Sequence, residues 1–250
     1  MPQETTHAVF IAGTDTEIGK THVSCALLRA LRADGLRAVG MKPVASGCMV
    51  TPAGLRNDDA LALIEASDPP PDYATCNPFA FTEAVSPHLA AAAERAEVSM
   101  APIKAAFAQL TEGADVVLVE GVGGWLAPLS PTLQANALPL ALGLPVILVV
   151  GLRLGCLNHA QLTARAILAD GCNLLGWIGN AVDPAMARRE DNLETLHRLL
   201  PVPCLGVIEH ATDAATAPAL AAAVAAVLAS SCRQDDVSAP LQHPIRTALD

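Results

Sequence analysis

The densest chemistry in the sequence lies in GTDTEIGKT (13–21). Gly13 and Gly19 allow backbone N–H groups to close around phosphate oxygens. Lys20 can reach the terminal phosphates of a nucleotide, and the Thr21 hydroxyl can ligate Mg²⁺. A helix beginning after Gly19 adds the positive end of its dipole. Loops of this kind usually hold four residues between the first glycine and the Gly-Lys pair. This one holds five, Thr14 to Ile18, and is therefore a variant. The simpler reading is a glycine turn with a capping threonine. A strand before it, a helix after it and an intact Gly-Lys-Thr argue for phosphate binding.

Three further polar residues stand at the ends of apolar elements. Glu120 closes VVLVE, where a carboxylate can meet Mg²⁺ directly or through water, and GVGG (121–124) follows it. That glycine block lacks the spacing of a dinucleotide loop. Asp59 opens a helix, where either it or Asp58 could serve as the cap. Lys42 leaves a strand in KPVASG (42–47), with Pro43 stiffening the exit and Gly47 allowing a tight turn. Taken locally, Lys42 reads as a surface lysine.

The elements that must hold these residues alternate in type. Strands are expected over 8–12, 37–42, 115–120, 145–150, 176–180 and 204–208. Helices are expected over 20–34, 58–66, 102–112, 159–170 and 187–200. Strands alternating with helices predict an α/β fold with a mostly parallel, doubly wound sheet covered on both faces, and near-continuous apolar strands such as VILVV fit that burial. Ligands of such sheets bind beyond the carboxyl ends of the strands, here marked by Gly13, Lys42, Glu120, Gly151 and Asn180. The three-proline run at 69–71 stops one helix and leads into an irregular stretch. Residues 1–230 read as one ATP-binding domain and 231–250 as a polar, mobile tail.

Composition limits the partners. Apolar residues make up 52% of 250, ample for one large core. No run reaches the roughly 18 uninterrupted apolar residues of a membrane helix, and the N-terminus lacks the basic-then-apolar pattern of a signal peptide. A soluble, cytoplasmic protein is expected. The net charge of −10, with only 15 Lys and Arg, disfavours nucleic acid and anionic membranes, so anionic substrates must be held by a few local cations. The 7 cysteines are scattered, odd in number and form no C-x-x-C, which reads as small buried hydrophobes rather than a disulfide or zinc framework.

Together these blocks resemble the dethiobiotin synthetase family, from about Val9 to Leu205. The resemblance rests on GTDTEIGKT (13–21), KPVASG (42–47), GLRNDDALAL (54–63), DYATCNPFAF (72–81), SPHLAA (86–91), VLVEGVGGW (117–125), LPVILVVGLRLGCLNHAQLTA (144–164) and GWIGN (176–180), in that order. It implies a three-layer P-loop NTPase fold with a sheet of about seven strands. It also implies a homodimer with substrate bound across the subunit interface. The implied reaction turns 7,8-diaminopelargonate, CO₂ or bicarbonate and MgATP into dethiobiotin, ADP and phosphate.

The implied roles can be assigned by position. Lys42 and Lys20 are catalytic, and Thr21, Asp59 and Glu120 hold Mg²⁺. ATP contacts fall on Glu17, Ile18, Gly19, Lys20, Thr21, His22, Asp59, Glu120, Gly121, Val122, Gly123 and Asn180, and on Glu209, His210 and Ala211. Substrate contacts fall on Thr16 and Ser46, and on Gly155, Cys156, Leu157 and Asn158 from the partner subunit. The chain departs from the resemblance at Glu209-His210-Ala211, where relatives often carry Pro-Trp or Pro-Arg, and at Val122, where alanine is usual.

Two other classes compete. An amidotransferase or small-molecule kinase of the same fold would need a glutaminase Cys–His pair or a different acceptor pocket. A membrane-linked partitioning switch would carry a lysine near position 15 and a basic C-terminal helix. This chain has Asp15 there, and its Ala-rich C-terminal helix lacks lysine.

Overall fold

The computed structural model describes residues 6–210, 219–226 and 228. Ala211 and the tail 231–250 lie outside the described residues. Six strands form one parallel sheet: β1 (His7–Gly13), β2 (Ala38–Met41), β7 (Val116–Glu120), β8 (Val146–Gly151), β9 (Leu174–Asn180) and β10 (Cys204–Ile208). Their spatial order is β10-β9-β8-β1-β7-β2, and every pairing is parallel.

Helices cover both faces because the strands are apolar on both sides. Along β7, Val117 and Val119 enter one core, while Val116 and Leu118 enter the other. In β1, Phe10 and Ala12 alternate with Val9 and Ile11 in the same way. Fully burying one such side chain contributes about 1.5–3 kcal/mol, so the two cores lock the strands in register. The first core is covered by α5 (Met100–Thr111), α6 (Ala137–Leu142), α7 (Cys156–Ala169) and α8 (Arg189–Leu199). The second is covered by α1 (Lys20–Ala33), α2 (Asp58–Ala66) and the helical segment 219–226, through Leu220, Ala221 and Val224.

The sheet, expected to hold about seven strands, holds six among the described residues. After Lys42 the chain does not extend β2. Pro43 directs it away, and β3 (Val44–Ala45) pairs with β6 (Phe79–Ala80) in a separate small sheet. A second addition is the hairpin of β4 (Met49–Thr51) and β5 (Gly54–Arg56). The stretch expected to be irregular contains two short helices, α3 (Tyr73–Cys76) and α4 (Pro87–Ala93). Ser86 precedes α4 with Pro87 as its first residue, the position where a missing N–H costs least.

Six described cysteines are free; five are buried and Cys204 is partly so. Burial pushes the Cys25 and Cys76 thiols up to about 12, which keeps them protonated and inert. Cys232 lies outside the described residues.

Candidate active site

Sheet register brings the candidate residues together. β1 lies between β7 and β8, so the glycine loop after Gly13 opens between the ends of those two strands. Met41 is level with Val119 on β7, which sets Lys42 beside Glu120. Strands 4.7–4.9 Å apart leave room for a direct ion pair. The Lys42 ammonium donates to Glu120 Oε1 at 2.7 Å, to Asp59 Oδ2 at 3.0 Å and to the Gly121 carbonyl at 3.3 Å. It is 3% exposed, so the surface-lysine reading is overturned. Burial opposes its charge, but Glu120 and Asp59 more than offset this and raise its pKa.

Asp59 is free for this role because the cap of α2 is neither Asp58 nor Asp59. Asn57 caps the helix, its side chain accepting from the Ala60 N–H at 3.2 Å. Asp59 therefore projects into the crevice. Burial favours its neutral form, yet Lys42, Thr21 and Lys20 together lower its pKa.

Glu120 is 1% exposed. Its Oε1 accepts from both the Thr21 hydroxyl at 2.8 Å and Lys42. Its Oε2 is buried with no hydrogen-bond partner. A desolvated carboxylate oxygen without a partner is costly, and a cation with its waters would satisfy it. Among the described residues no three His, Cys, Asp or Glu side chains converge as a metal cage. Two carboxylates and a threonine fit Mg²⁺, which retains waters and leans on substrate phosphates.

Lys20 closes the opposite side. Its ammonium donates to the carbonyls of Asp15 and Gly123, both at 2.8 Å, tying the loop to the glycine block. Burial, followed by repulsion from Lys42, lowers its pKa from 10.5 to about 8. The extra loop residue is accommodated with Glu17 and Gly19 both at positive φ (56° and 76°). A Cβ on Gly19 would collide with the Asn180 amide, whose nitrogen donates to the Ile18 carbonyl at 2.9 Å. The helical ladder of α1 begins with Val23 N–H donating to Gly19 (3.0 Å), so the amides of Lys20, Thr21 and His22 lie ahead of it.

A pH dependence follows from Lys20. Its folded pKa is depressed, so between about 8 and 10.5 the unfolded chain binds more protons, and the lysine's penalty on stability fades as pH rises through that window. A bound polyphosphate reverses the shift. ATP binding above about pH 8 should take up a proton and be about tenfold weaker near pH 9 than near pH 7. Calorimetry in buffers of different ionisation enthalpy measures the uptake; pH-independent binding with no proton exchange would contradict it.

Two neighbouring cavities share Glu17 and Gly19. One of about 300 Å³ is lined by Thr16, Lys20, Thr21, Lys42, Ser46, Asp59, Glu120, Val122 and Gly123. The other, about 320 Å³, is lined by His22, Asn180, Glu209 and His210. Ile18 packs into the core and offers only backbone, and Gly121 presents its carbonyl to Lys42. Gly155, Cys156, Leu157 and Asn158 line neither cavity of this chain. Cys156 turns its thiol into the core at the start of α7. That segment is nevertheless linked to the loop, because Arg153 pairs with Asp15 at 2.5 Å.

Sequence reasoning missed Asn57, Tyr73, Asn77 and Arg153. One signal was available for two of them: Tyr73 is the single tyrosine, and Asn77 follows it by four residues, one helical turn on.

Comparison with known proteins places these features. A family model described as "AAA domain" matches residues 7–217. The "ATP-dependent dethiobiotin synthetase BioD" of Xanthomonas euvesicatoria pv. vesicatoria (strain 85-10) is 60% identical over 201 residues, 80% of this chain and 90% of that protein. The protein of the same name from Xylella fastidiosa (strain M12) is 56% identical over 203 residues, 81% of this chain and 90% of its own. Among solved structures, the septum site-determining protein MinD complexed with Mg-ADP from Pyrococcus horikoshii OT3 superposes with a TM-score of 0.53 at 16% identity, covering 94% of this chain and 100% of that one. MinD of Aquifex aeolicus gives 0.51 at 14%, covering 95% and 100%. These two likenesses establish the fold alone, that of a P-loop NTPase.

Proposed function

Because this chain belongs to the ATP-dependent dethiobiotin synthetase family and is a ligase of that kind, we propose that its crevice closes a urea ring on 7,8-diaminopelargonate with CO₂ and ATP. The observation that carries the reading is Lys42: a buried ammonium ringed by Asp59, Glu120 and the Gly121 carbonyl, facing Lys20 across one cavity. Without ligand the four side chains sum to no net charge. A terminal phosphate and a carbamate bring negative charge, which two lysines are placed to receive.

The chemistry needs that balance. One amine adds to CO₂ and loses a proton, giving a carbamate whose oxygen is a poor leaving group. The carbamate oxygen attacks the γ-phosphorus and ADP departs, leaving a carbamic–phosphoric anhydride. The second amine attacks the carbonyl carbon, the ring closes and phosphate leaves. This chain's residues position and neutralise, as in other phosphoryl transfers. Lys20 and the loop amides from Glu17 to His22 hold the phosphates. Lys42 stabilises charge on the carbamate and the anhydride, and Ser46 and Thr16 contact the substrate. Thr21, Asp59 and Glu120 would hold Mg²⁺, which when bound supplies charge neutralisation of the phosphates.

In the second cavity, Asn180 Oδ1 is the acceptor left for an exocyclic amine of adenine once its nitrogen is given to Ile18. The segment 155–158 receives the substrate carboxylate of a second subunit in a homodimer. No described helix is long and apolar enough to cross a membrane, and the enzyme works in the cytoplasm.

The test supplies purified protein with ATP, Mg²⁺, the diamine and labelled bicarbonate. A labelled cyclic urea with one ADP per ring is the expected result. ATP hydrolysis indifferent to diamine and bicarbonate would reject the reading.

A further inference from the structure

One hydroxyl lies at the centre of three segments that carry the site. Tyr73 Oη accepts from the Asn57 backbone N–H at 2.7 Å and donates to Asn77 Oδ1 at 2.9 Å. Asn77 is buried and spends its amide hydrogens on the Lys42 carbonyl at 2.6 Å and the Phe79 carbonyl at 3.1 Å. The Lys42 N–H is also held, donating to Cys76 at 2.8 Å. On the other side, Asn57 caps the helix whose first turn bears Asp59, and its amide donates to the Ser46 carbonyl at 3.4 Å. The Arg56 guanidinium stacks on the Tyr73 ring, 4.2 Å from its centre, which fixes the phenol's orientation.

We propose that Tyr73 is a positioning residue for the reaction: its hydroxyl sets the separation between the strand exit bearing Lys42 and the helix start bearing Asp59. Tyr73 itself lines neither cavity, so it acts through these two and through Ser46. The physical reason is geometric. Lys42 leaves β2 and Asp59 begins α2, with a hairpin between them. The sheet register does not fix that distance and the Lys42–Asp59 ion pair joins only the side-chain tips, whereas the Tyr73–Asn57 and Tyr73–Asn77–Lys42 bonds tie the two backbones together. Charge stabilisation depends on such preorganisation, and small displacements cost rate more than binding.

The inference rests on the ring-closing reading above. Tyr73→Phe keeps the ring and the stacking but removes the hydroxyl. Steady-state kinetics should show kcat about tenfold lower, with the KM for ATP within about twofold, since the phosphate loop lies on β1 and α1. Asn77→Ala should behave alike, and the double variant should be no worse than the poorer single one. Thr75→Ala, on the same short helix, where its hydroxyl donates to Gln109, should keep wild-type kcat.

Hydrogen exchange reads the positioning without turnover. Peptides spanning 42–47 and 57–60 should exchange faster in Tyr73→Phe, and those spanning 13–22 should not. Wild-type kcat and exchange in Tyr73→Phe, or an equal loss in Thr75→Ala, overturns the proposal. An inactive wild-type enzyme whose Tyr73→Phe variant still shows the local exchange change rejects the ring-closing reading and keeps the network.

Discussion

Lys42→Ala is expected to lower kcat by roughly a hundredfold or more, about 3 kcal/mol of transition-state stabilisation, the size typical of one preorganised electrostatic donor in a dry site. Lys42 is 3% exposed and its ammonium lies within 3.0 Å of two carboxylates, so no other side chain can supply its charge from the same place. Lys20 is anchored elsewhere, on the Asp15 and Gly123 carbonyls. ATP affinity should change far less than turnover, because the glycine loop proposed to hold the phosphates lies on β1 and α1, whereas Lys42 follows β2. The variant also leaves Glu120 buried beside Thr21 alone, which costs about 3–5 kcal/mol of stability at neutral pH. Rates must therefore be normalised to the folded fraction measured by ATP binding. Wild-type turnover per folded molecule would remove Lys42 from the mechanism.

Glu120→Gln is expected to raise the Mg²⁺ concentration needed for half-maximal activity by about tenfold or more, the range typical when a metal site loses a supporting group. The substitution preserves shape and leaves an oxygen for Thr21 and Lys42. What disappears is the negative charge and the unpartnered Oε2. Glutamine would instead bury an amide nitrogen where that oxygen stood, repelling a cation. The same change deprives Lys42 of its shortest ion pair, so the thermal midpoint should drop even without metal. A Mg²⁺ titration identical to wild type would take Glu120 out of the metal site, whatever happened to stability.

Some positions were set by local rules and some were not. Strand periodicity and apolar runs located all six sheet strands within a few residues; the run at 204–208 and the helix at 58–66 match β10 and α2 at both ends. The cap of α2 was misread because Asp58, Asp59 and Asn57 are all good caps in isolation. Only the approach of Lys42 leaves Asp59 committed to an ion pair and Asn57 to the cap. The small elements between residues 44 and 93 were missed because strands of two or three residues and helices of four or seven carry too little periodicity to register.

What the sequence alone determined was chemistry and order: Gly-Lys-Thr behind a strand, an acid ending another, and alternating elements that force a parallel sheet. Those features are local, since each depends on residues within one turn or one strand. The tertiary structure decided proximity. Lys42 and Glu120 are 78 residues apart in the chain, and only the β2–β7 register puts them in contact. It also decided charge state, because burial makes the Lys20 ammonium easier to deprotonate while two carboxylates make that of Lys42 harder. Desolvation and pairing arise from the whole packed environment, and no stretch of sequence contains them.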